Sequence, residues 1–146
     1  MKKLAAALSI LLLAAGSAFG NIIQNPGFET GPDPGTSTRL NPGDTNISPW
    51  AVVSGTVDYL GPTLAPCSGS RSVDLNGNTP GAISQTFATT PQTTYRVTFC
   101  LAGNTRGTGN PVKTLNVFAT GNAQQSYQFD TTGLSDSNIV RLHGHN

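Results

Sequence analysis

The amino-acid sequence predicts an all-β fold, an antiparallel β-sandwich or jelly roll, preceded by a signal-peptide helix. Glycine and proline account for 17 and 10 of the 146 residues, and their clusters divide the chain into short segments. Apolar and polar residues alternate with a period of two in several of these segments. After the signal segment, no helical stripe is longer than two turns. Short strands separated by regular turn signals are typical of a sandwich.

Length and charge limit the number of domains and the class of partner. A chain of 146 residues corresponds to one domain on the usual range of roughly 100 to 200 residues. Eight Lys and Arg residues stand against seven Asp and Glu residues, and 10% of all residues are charged. So little charge provides no basic patch for nucleic acid. We therefore expect no nucleic-acid partner.

The N-terminus has the pattern of a secretory signal peptide over residues 1–20. Lys2 and Lys3 precede an uncharged stretch at 4–15, and small residues follow up to Gly20. The apolar run is about a dozen residues, whereas a membrane helix needs roughly 20. We predict cleavage after Gly20, secretion to the extracellular space or cell envelope, and no membrane span in the mature chain.

Alternation and turn signals place the strands. The clearest strand is Tyr95–Leu101, in which every second residue is apolar. The Gly- and Pro-rich stretch 30–44 predicts a long loop, and the turn Ser54-Gly55 predicts a hairpin between its flanking strands. The other predicted strands are Ile22–Gln24, Trp50–Val53, Thr56–Leu60, Arg71–Leu75, Ile83–Phe87, Lys113–Ala119 and Ser126–Phe129.

The two cysteines, Cys67 and Cys100, lack the spacing of a zinc or redox motif. In an oxidising compartment they are candidates for a disulfide. Such a bond would close a loop of about 33 residues and add roughly 3–4 kcal/mol on the chain-entropy model. The alternative is a pair of buried, unpaired thiols.

Groups suited to catalysis are sparse. The two histidines, His143 and His145, lie in the last four residues, where chain ends are usually frayed. Asp58 and Asp74 approach each other only if their strands pair, which would suit a glycosidase. The alternative is that each accepts turn or cross-strand hydrogen bonds, or pairs with an arginine. We expect a protein that is not an enzyme.

Two kinds of binding site remain. Glu29, with Asp33 and the carbonyl groups of the Gly- and Pro-rich loop, offers oxygen ligands for calcium, and the alternative is an exposed acidic loop.

Sugar rings stack on aromatic side chains, while carboxylates, amides and guanidinium groups bind hydroxyls. Tyr59 is the best-placed aromatic platform, although a core position suits it equally. Trp50 fits a core position better.

The order of several motifs resembles that of a known family. The opening segment 21–29 is similar to the first strand of many galactose-binding-like jelly-roll domains, among them secreted carbohydrate-binding modules. The full set resembles the bacterial choice-of-anchor C family, which is related to plant cell-wall proteins of the same architecture. The likeness covers 21–133, which we predict as the domain. Its motifs are Asn21-Ile22-Ile23-Gln24-Asn25-Pro26-Gly27-Phe28-Glu29, Val57-Asp58-Tyr59-Leu60-Gly61, Gly69-Ser70-Arg71-Ser72-Val73-Asp74-Leu75-Asn76-Gly77, Pro80-Gly81-Ala82-Ile83-Ser84-Gln85-Thr86-Phe87, Tyr95-Arg96-Val97-Thr98-Phe99, Leu101-Ala102-Gly103-Asn104 and Phe129-Asp130-Thr131-Thr132-Gly133.

This resemblance implies a secreted, non-catalytic jelly roll at a cell surface or in a cell wall that binds polysaccharide. On that basis we expect Tyr59 to stack on a sugar ring. We expect Asp58, Arg71, Asp74 and Asn76 to bind sugar hydroxyls. The alternatives are a structural or adhesive protein of the envelope or matrix, which acts through protein contacts, and a small glycoside hydrolase.

Two further expectations follow from the resemblance. Glu29 matches the position of a structural calcium ligand in related modules, and no cofactor is required. After Gly133 the sequence departs from its relatives, which continue through one or two more alternating strands. Residues 134–146 are therefore predicted to be an atypical, disordered tail of a truncated domain that leaves a sheet edge unpaired.

Overall fold

The computed structural model describes residues 21–64, 66–106 and 109–135, together with the backbone of 141–145. These residues form nine β-strands and no helix. The strands pair only in antiparallel fashion, so the predicted all-β, antiparallel class is confirmed. The predicted signal peptide lies outside the described residues. The strands are β1 (Ser37–Leu40), β2 (Ala51–Ser54), β3 (Val57–Leu60), β4 (Ser72–Asp74), β5 (Ala82–Ser84), β6 (Val97–Leu101), β7 (Val112–Val117), β8 (Gln125–Asp130) and β9 (Arg141–His145).

The strands form one three-stranded sheet and three two-stranded ladders. In the three-stranded sheet β3 is central, with β1 on one side and β4 on the other. β2 pairs with β5, β6 with β9, and β7 with β8. Only β3 with β4 and β7 with β8 join consecutive strands, so the other pairs bring together distant parts of the chain. Within the described residues no helix is long and apolar enough to cross a membrane.

The turn Ser54-Gly55 connects two sheets and does not close a hairpin. β2 precedes the turn and pairs with β5, whereas β3 follows it and pairs with β1 and β4. Gly55 has a φ of 57°, and a Cβ atom there would collide with the carbonyl oxygen of Pro80. Glycine is therefore needed where the chain crosses from one sheet to the other. The predicted hairpin is wrong because the local turn signal does not identify the strands' partners.

β1 lies inside the stretch where the sequence predicts a loop. Its four residues pair with β3 along their whole length, from Ser37 opposite Leu60 to Leu40 opposite Val57. The side chain of Leu40 is buried. A four-residue segment among glycines and prolines carries no clear alternation, so its partner strand determines its conformation.

The predicted first strand, Ile22–Gln24, is absent from the strands described. Gln24 is nevertheless held beside the chain after β5 by the side chain of Gln85. The Gln24 amide donates to Gln85 Oε1 at 2.8 Å, and Gln85 Nε2 donates to the Gln24 carbonyl at 2.8 Å. The Gln85 amide group thus supplies both hydrogen bonds that a neighbouring strand would supply.

One hydrophobic core joins the three-stranded sheet to the β2–β5 pair. Its buried members come from β1, β2, β3 and the segment before β2, and they are Leu40, Ile47, Val52, Val57 and Tyr59. Partly buried side chains complete it, namely Phe28, Trp50, Val73, Leu75 and Ile83. Because β2 and β5 contribute from one side and β1, β3 and β4 from the other, the two sheets pack face to face as in a sandwich.

The later strands are attached to this core by polar and covalent contacts. Asn104, just after β6, donates to Asp74 at the end of β4, with Nδ2 to Oδ2 at 2.9 Å. Arg106 donates to the carbonyl oxygen of Thr63 at 3.1 Å. Cys67 and Cys100 form a disulfide with a Cα–Cα distance of 6.2 Å, which confirms the predicted pairing. The bond connects β6 to the loop before β4.

The end of the chain differs from the predicted disordered tail. The backbone of β9 pairs with the whole of β6, from Arg141 opposite Leu101 to His145 opposite Val97. The strand therefore covers an edge of β6 that the prediction left open. A five-residue strand has too few alternating positions to be predicted from its own sequence. Its conformation is determined by pairing with β6.

We predict that the disulfide stabilises the fold by about 3–4 kcal/mol, because it restricts the unfolded chain across a separation of 33 residues. Replacing Cys67 and Cys100 together by alanine should lower the free energy of unfolding by that amount. Urea unfolding followed by the fluorescence of Trp50 measures the change. Wild-type protein under reducing conditions is the matched comparison, and an unchanged midpoint in both samples would contradict the prediction.

Candidate functional site

A row of charged side chains crosses the outer face of the three-stranded sheet. Arg39 of β1 lies opposite Asp58 of β3, and Asp58 lies opposite Asp74 of β4. Successive residues of a strand point to opposite faces of the sheet. Since Val57 and Tyr59 point into the core, these three side chains lie on the face turned away from it. The strands of Asp58 and Asp74 do pair, so the two carboxylates lie side by side.

Arg39 and Asp58 form a two-pronged ion pair. Arg39 Nε donates to Asp58 Oδ1 at 2.7 Å, and Nη2 donates to Oδ2 at 2.9 Å. The third nitrogen of the guanidinium group, Nη1, donates to Asn78 Oδ1. The hydrogen bond with Asp58 raises the pKa of Arg39, and the charges of Asp58 and Asp74 act in the same direction. The side chain of Arg39 is 40% exposed and that of Asp58 is 18% exposed, so the pair remains accessible from solvent.

Asp74 is held by two amide groups. Its Oδ1 accepts from the backbone N–H of Asn76 at 2.9 Å, and its Oδ2 accepts from Asn104 Nδ2 at 2.9 Å. The first bond closes a turn after β4, and the second brings the segment after β6 to the sheet. The structure thus places three predicted residues, Asp58, Asp74 and Asn76, at one surface.

Three residues at this surface were missed by sequence reasoning. They are Arg39, Asn78 and Asn104, and we call them, together with Asp58 and Asp74, the outer polar row. Arg39 was overlooked because its strand lies in a predicted loop. Asn78 and Asn104 lie in segments with a turn-like composition, and only their hydrogen bonds with the strands show that they belong here.

Tyr59 is not part of this surface, which corrects the stacking role expected for it. Its side chain is fully buried, with 0% exposure. The hydroxyl donates to the carbonyl oxygen of Phe28 at 2.8 Å and accepts from Arg71 Nη1. The alternation along β3 that points Asp58 outward turns Tyr59 into the core. Its ring therefore has no free face for a sugar.

Arg71 lies beside Tyr59 and away from the outer polar row. Its Nη1 donates to the carbonyl oxygen of Gly31 at 3.0 Å and to that of Pro32 at 3.4 Å. Its guanidinium carbon lies 5.5 Å from the centroid of the Tyr59 ring, within range of a cation–π contact. These contacts hold the N-terminal loop on β3 and give Arg71 a structural role, and the hydroxyl-binding role expected for it stays a prediction.

Glu29 anchors the loop that leads into β4. Its Oε1 accepts from the backbone N–H groups of Ser70 and Arg71 at 2.8 and 2.9 Å, and its Oε2 accepts from Ser70 Oγ at 2.9 Å. The hydrogen bond from the Ser70 backbone is the main cause that lowers the pKa of Glu29. Gly69 has a φ of 68°, and a Cβ atom there would collide with Glu29 Oε1. The positive φ favours glycine at 69, and a larger residue would also displace the Glu29 carboxylate.

Calcium ligation by Glu29 stays a prediction. Asp33 is not hydrogen-bonded to Glu29, and its Oδ1 accepts from the backbone N–H of Gly35 at 2.9 Å in a local turn. Within the described ranges no group of three or more His, Cys, Asp or Glu side chains is arranged to hold a metal ion. The contacts that the structure assigns to Glu29 are hydrogen bonds within the chain.

Asn25 fixes the start of the same N-terminal segment. Its side chain accepts from the Thr30 N–H at 3.0 Å and donates to the carbonyl oxygens of Thr30 and Ser48 at 2.9 and 3.1 Å. Its own carbonyl oxygen accepts from Trp50 Nε1 at 3.0 Å. The ring of Trp50 lies 5.8 Å from that of Phe28. Trp50 thus has the core position that the sequence favoured.

The fold and these contacts define an antiparallel all-β module with an anchoring network around the buried Tyr59 on one side of β3 and a charged row on the other. Residues 21–143 match the family described as protein of unknown function (DUF642), and the chain belongs to that family. This family is found in plant cell-wall proteins. The match continues beyond Gly133, into β9. The choice-of-anchor C resemblance stays a prediction.

One curated relative is halomucin of Haloquadratum walsbyi. The two sequences are 34% identical over 93 aligned positions, and the alignment covers 56% of this chain and 1% of halomucin. The chain therefore corresponds to a very small part of that protein. No solved structure matches this chain.

The low pKa of Glu29 predicts a pH dependence of stability. Its folded-state pKa lies below the ordinary value of 4.5, so the carboxylate stabilises the fold above pH 4.5 and this stabilisation is lost as the pH falls through the folded-state pKa. Glu29→Gln should lower the melting temperature at neutral pH. On acidification below pH 4.5, the variant should lose less stability than the wild type. Thermal unfolding across this range measures both effects.

Asp130→Asn is the matched control for this measurement. The pKa of Asp130 is also lowered, by hydrogen bonds from the side chain and backbone of Thr132, but Asp130 has no hydrogen bond with the Glu29 loop. The Asp130→Asn variant should still lose the stability that depends on the ionised Glu29 carboxylate when the pH is lowered. Equal pH profiles for wild type and Glu29→Gln would contradict the role of this carboxylate.

The position of Tyr59 predicts that its hydroxyl contributes to stability. Tyr59→Phe should lower the free energy of unfolding by about 1–3 kcal/mol, because the Phe28 carbonyl and the Arg71 guanidinium group lose a partner beside the core. Urea unfolding monitored through Trp50 tests this. Tyr95→Phe is the control, since the Tyr95 hydroxyl accepts an exposed hydrogen bond from Thr90 and its loss should cost less. A Tyr59→Phe variant as stable as the wild type would rule out the bridging role.

Proposed function

We propose that this protein is a secreted, non-catalytic module that binds extracellular or cell-wall polysaccharide through the outer polar row. The observation that carries this proposal is that Arg39, Asp58 and Asp74 lie side by side on one sheet face, with Arg39 exposed and both carboxylates half-buried. Guanidinium, carboxylate and amide groups together donate to and accept from sugar hydroxyls. The Arg39–Asp58 ion pair and the hydrogen bonds to Asp74 already hold these groups in place, so less side-chain entropy is lost on binding.

The arrangement of the acids favours binding over hydrolysis. A glycosidase needs one carboxyl group as acid and a second as base or nucleophile. Asp58 accepts hydrogen bonds from Nε and Nη2 of Arg39, and Asp74 accepts hydrogen bonds from Asn76 and Asn104. Each carboxylate thus has a structural partner that would have to be displaced for catalysis. In this proposal Asp58 and Asp74 act as fixed acceptors.

Location and cofactor use follow from the same features. The family is found in plant cell-wall proteins, and the N-terminal signal pattern predicts export. The proposal requires no cofactor, because the outer polar row is held by hydrogen bonds within the chain. Polysaccharide retention should therefore be unchanged by a calcium chelator. Retention that needs added calcium would instead support the ligand role expected for Glu29.

The test is retention on glycan arrays and on insoluble cell-wall polysaccharides. Asn78→Ala should weaken binding about threefold to tenfold, the effect of one hydrogen bond. Arg39→Lys should have a similar or larger effect, since lysine keeps the charge but loses the two-pronged geometry. Melting temperatures of both variants check that the fold is intact.

Asn110→Ala is the matched control for Asn78→Ala. Asn110 is also exposed, and its Oδ1 also accepts one hydrogen bond, from the Val112 N–H at 2.9 Å, but it lies before β7 and outside the outer polar row. This variant should bind like the wild type. If the wild-type protein at high concentration is retained by no glycan, the proposal is wrong. Capture of protein partners by crosslinking would then favour the structural or adhesive alternative.

A further inference from the structure

A second exposed surface lies on the β7–β8 hairpin. Alternate residues of β7 are exposed, and this face ends in Phe118, which directly follows the strand. Thr114 lies opposite Gln128, and Asn116 lies opposite Ser126. We call these five side chains the hairpin face. All of them are exposed.

The hairpin face lies on a packed support. Tyr127 of β8 meets the ring of Phe99 edge-to-face, with centroids 5.0 Å apart. Phe129 is buried, with 3% exposure. Residues 113, 115 and 117 of β7, which point the same way as these aromatic rings, are half-buried. The opposite side of the hairpin is therefore fixed by packing, and the exposed side chains stand on a defined backbone.

The chemistry of this surface is polar and uncharged. The sixteen residues from Thr114 to Phe129 include no Asp, Glu, Lys or Arg. Five of them carry side-chain amides, namely Asn116, Asn122, Gln124, Gln125 and Gln128. Ser126 Oγ donates to Asn116 Oδ1 at 2.6 Å, which orients that amide and leaves its N–H groups directed to other acceptors. A partner for this surface must supply many hydroxyl or carbonyl groups and needs no charge.

Phe118 adds an apolar platform to this amide surface. It is 71% exposed, the highest value among the large hydrophobic side chains of the described residues. An aromatic ring in water gives up the free energy of burying its apolar surface, so a partner that covers Phe118 gains binding energy. Sugar rings present apolar C–H faces to aromatic rings, while their hydroxyls reach neighbouring amides. An anionic lipid surface would require lysine or arginine here, and none is present between 114 and 129.

We propose that the hairpin face is a second polysaccharide-binding surface, selective for uncharged chains, with Phe118 stacking on one sugar and Asn116 and Gln128 binding hydroxyls. The proposal shares its partner class with the function proposed above and rests on it in that respect. It uses different residues, on a different pair of strands. Two binding surfaces on one module let it hold one chain at two points, or bridge two chains, with an avidity above that of either surface.

The experiment compares variants of the two surfaces on one set of glycans. Phe118→Ala should weaken binding to neutral polysaccharides roughly tenfold, and Gln128→Ala should weaken it about threefold. Phe118→Tyr should bind like the wild type, because it keeps the ring. Phe87→Ala is the matched control, since Phe87 is 36% exposed and lies outside the hairpin. Added salt should leave the contribution of Phe118 unchanged, because no charge takes part.

Each result distinguishes this inference from the function proposed above. Neutral-glycan binding that is weakened by both Phe118→Ala and Arg39→Lys supports both surfaces. If Arg39→Lys weakens glycan binding while Phe118→Ala and Gln128→Ala leave it intact, the inference about the hairpin face is wrong and the function proposed above stands. Binding weakened only by the hairpin variants supports the hairpin face and overturns the assignment of the outer polar row. Failure of the wild type to bind any glycan overturns both, as does a Phe118-dependent dimer or vesicle binding in place of glycan binding.

Discussion

The buried hydroxyl of Tyr59 is the interaction on which the described architecture depends most. It lies on the central strand, donates to the Phe28 carbonyl and accepts from Arg71. Arg71 in turn donates to the Gly31 carbonyl, and its own backbone N–H donates to Glu29. Three segments far apart in sequence, the N-terminal loop, β3 and the entry to β4, therefore meet at one phenol group. A phenylalanine would fill the same volume but could not join them.

This network determines which side chains of β3 face outward. Burying Tyr59 turns the neighbouring Asp58 to the opposite face of β3, where Arg39 and Asp74 flank it. The residues expected to form one sugar site are thereby divided between the two faces of a sheet. Those on the inner side hold the N-terminal segment, and those on the outer side remain accessible. The motif Asn25-Pro26-Gly27-Phe28-Glu29 is consequently a structural signature, since Asn25, Phe28 and Glu29 each contact a different part of the fold.

The sequence was sufficient to predict the all-β class, most strand positions and the cysteine pair, because these depend on alternation, turn residues and compartment. It could not predict β1 or β9. Both are short, and pairing with β3 and β6 determines them. The sequence also could not predict which face of β3 is buried. The segment Val57-Asp58-Tyr59-Leu60 does not show which of its two sides faces β2 and β5. Arg39 was missed for the same reason, since its importance comes from its partner across the sheet.

The disulfide has a mechanical consequence for a protein held in a polymer network. Cys67 and Cys100 are 33 residues apart in sequence. Because they are bonded to each other, the loop between them cannot extend when the chain is pulled from its ends. That segment would otherwise extend by about 110 Å. It carries β4 and β5, and so Asp74 of the outer polar row. Tension along the chain therefore bypasses these strands, and part of the charged surface stays within a closed loop while the flanking segments bear the load.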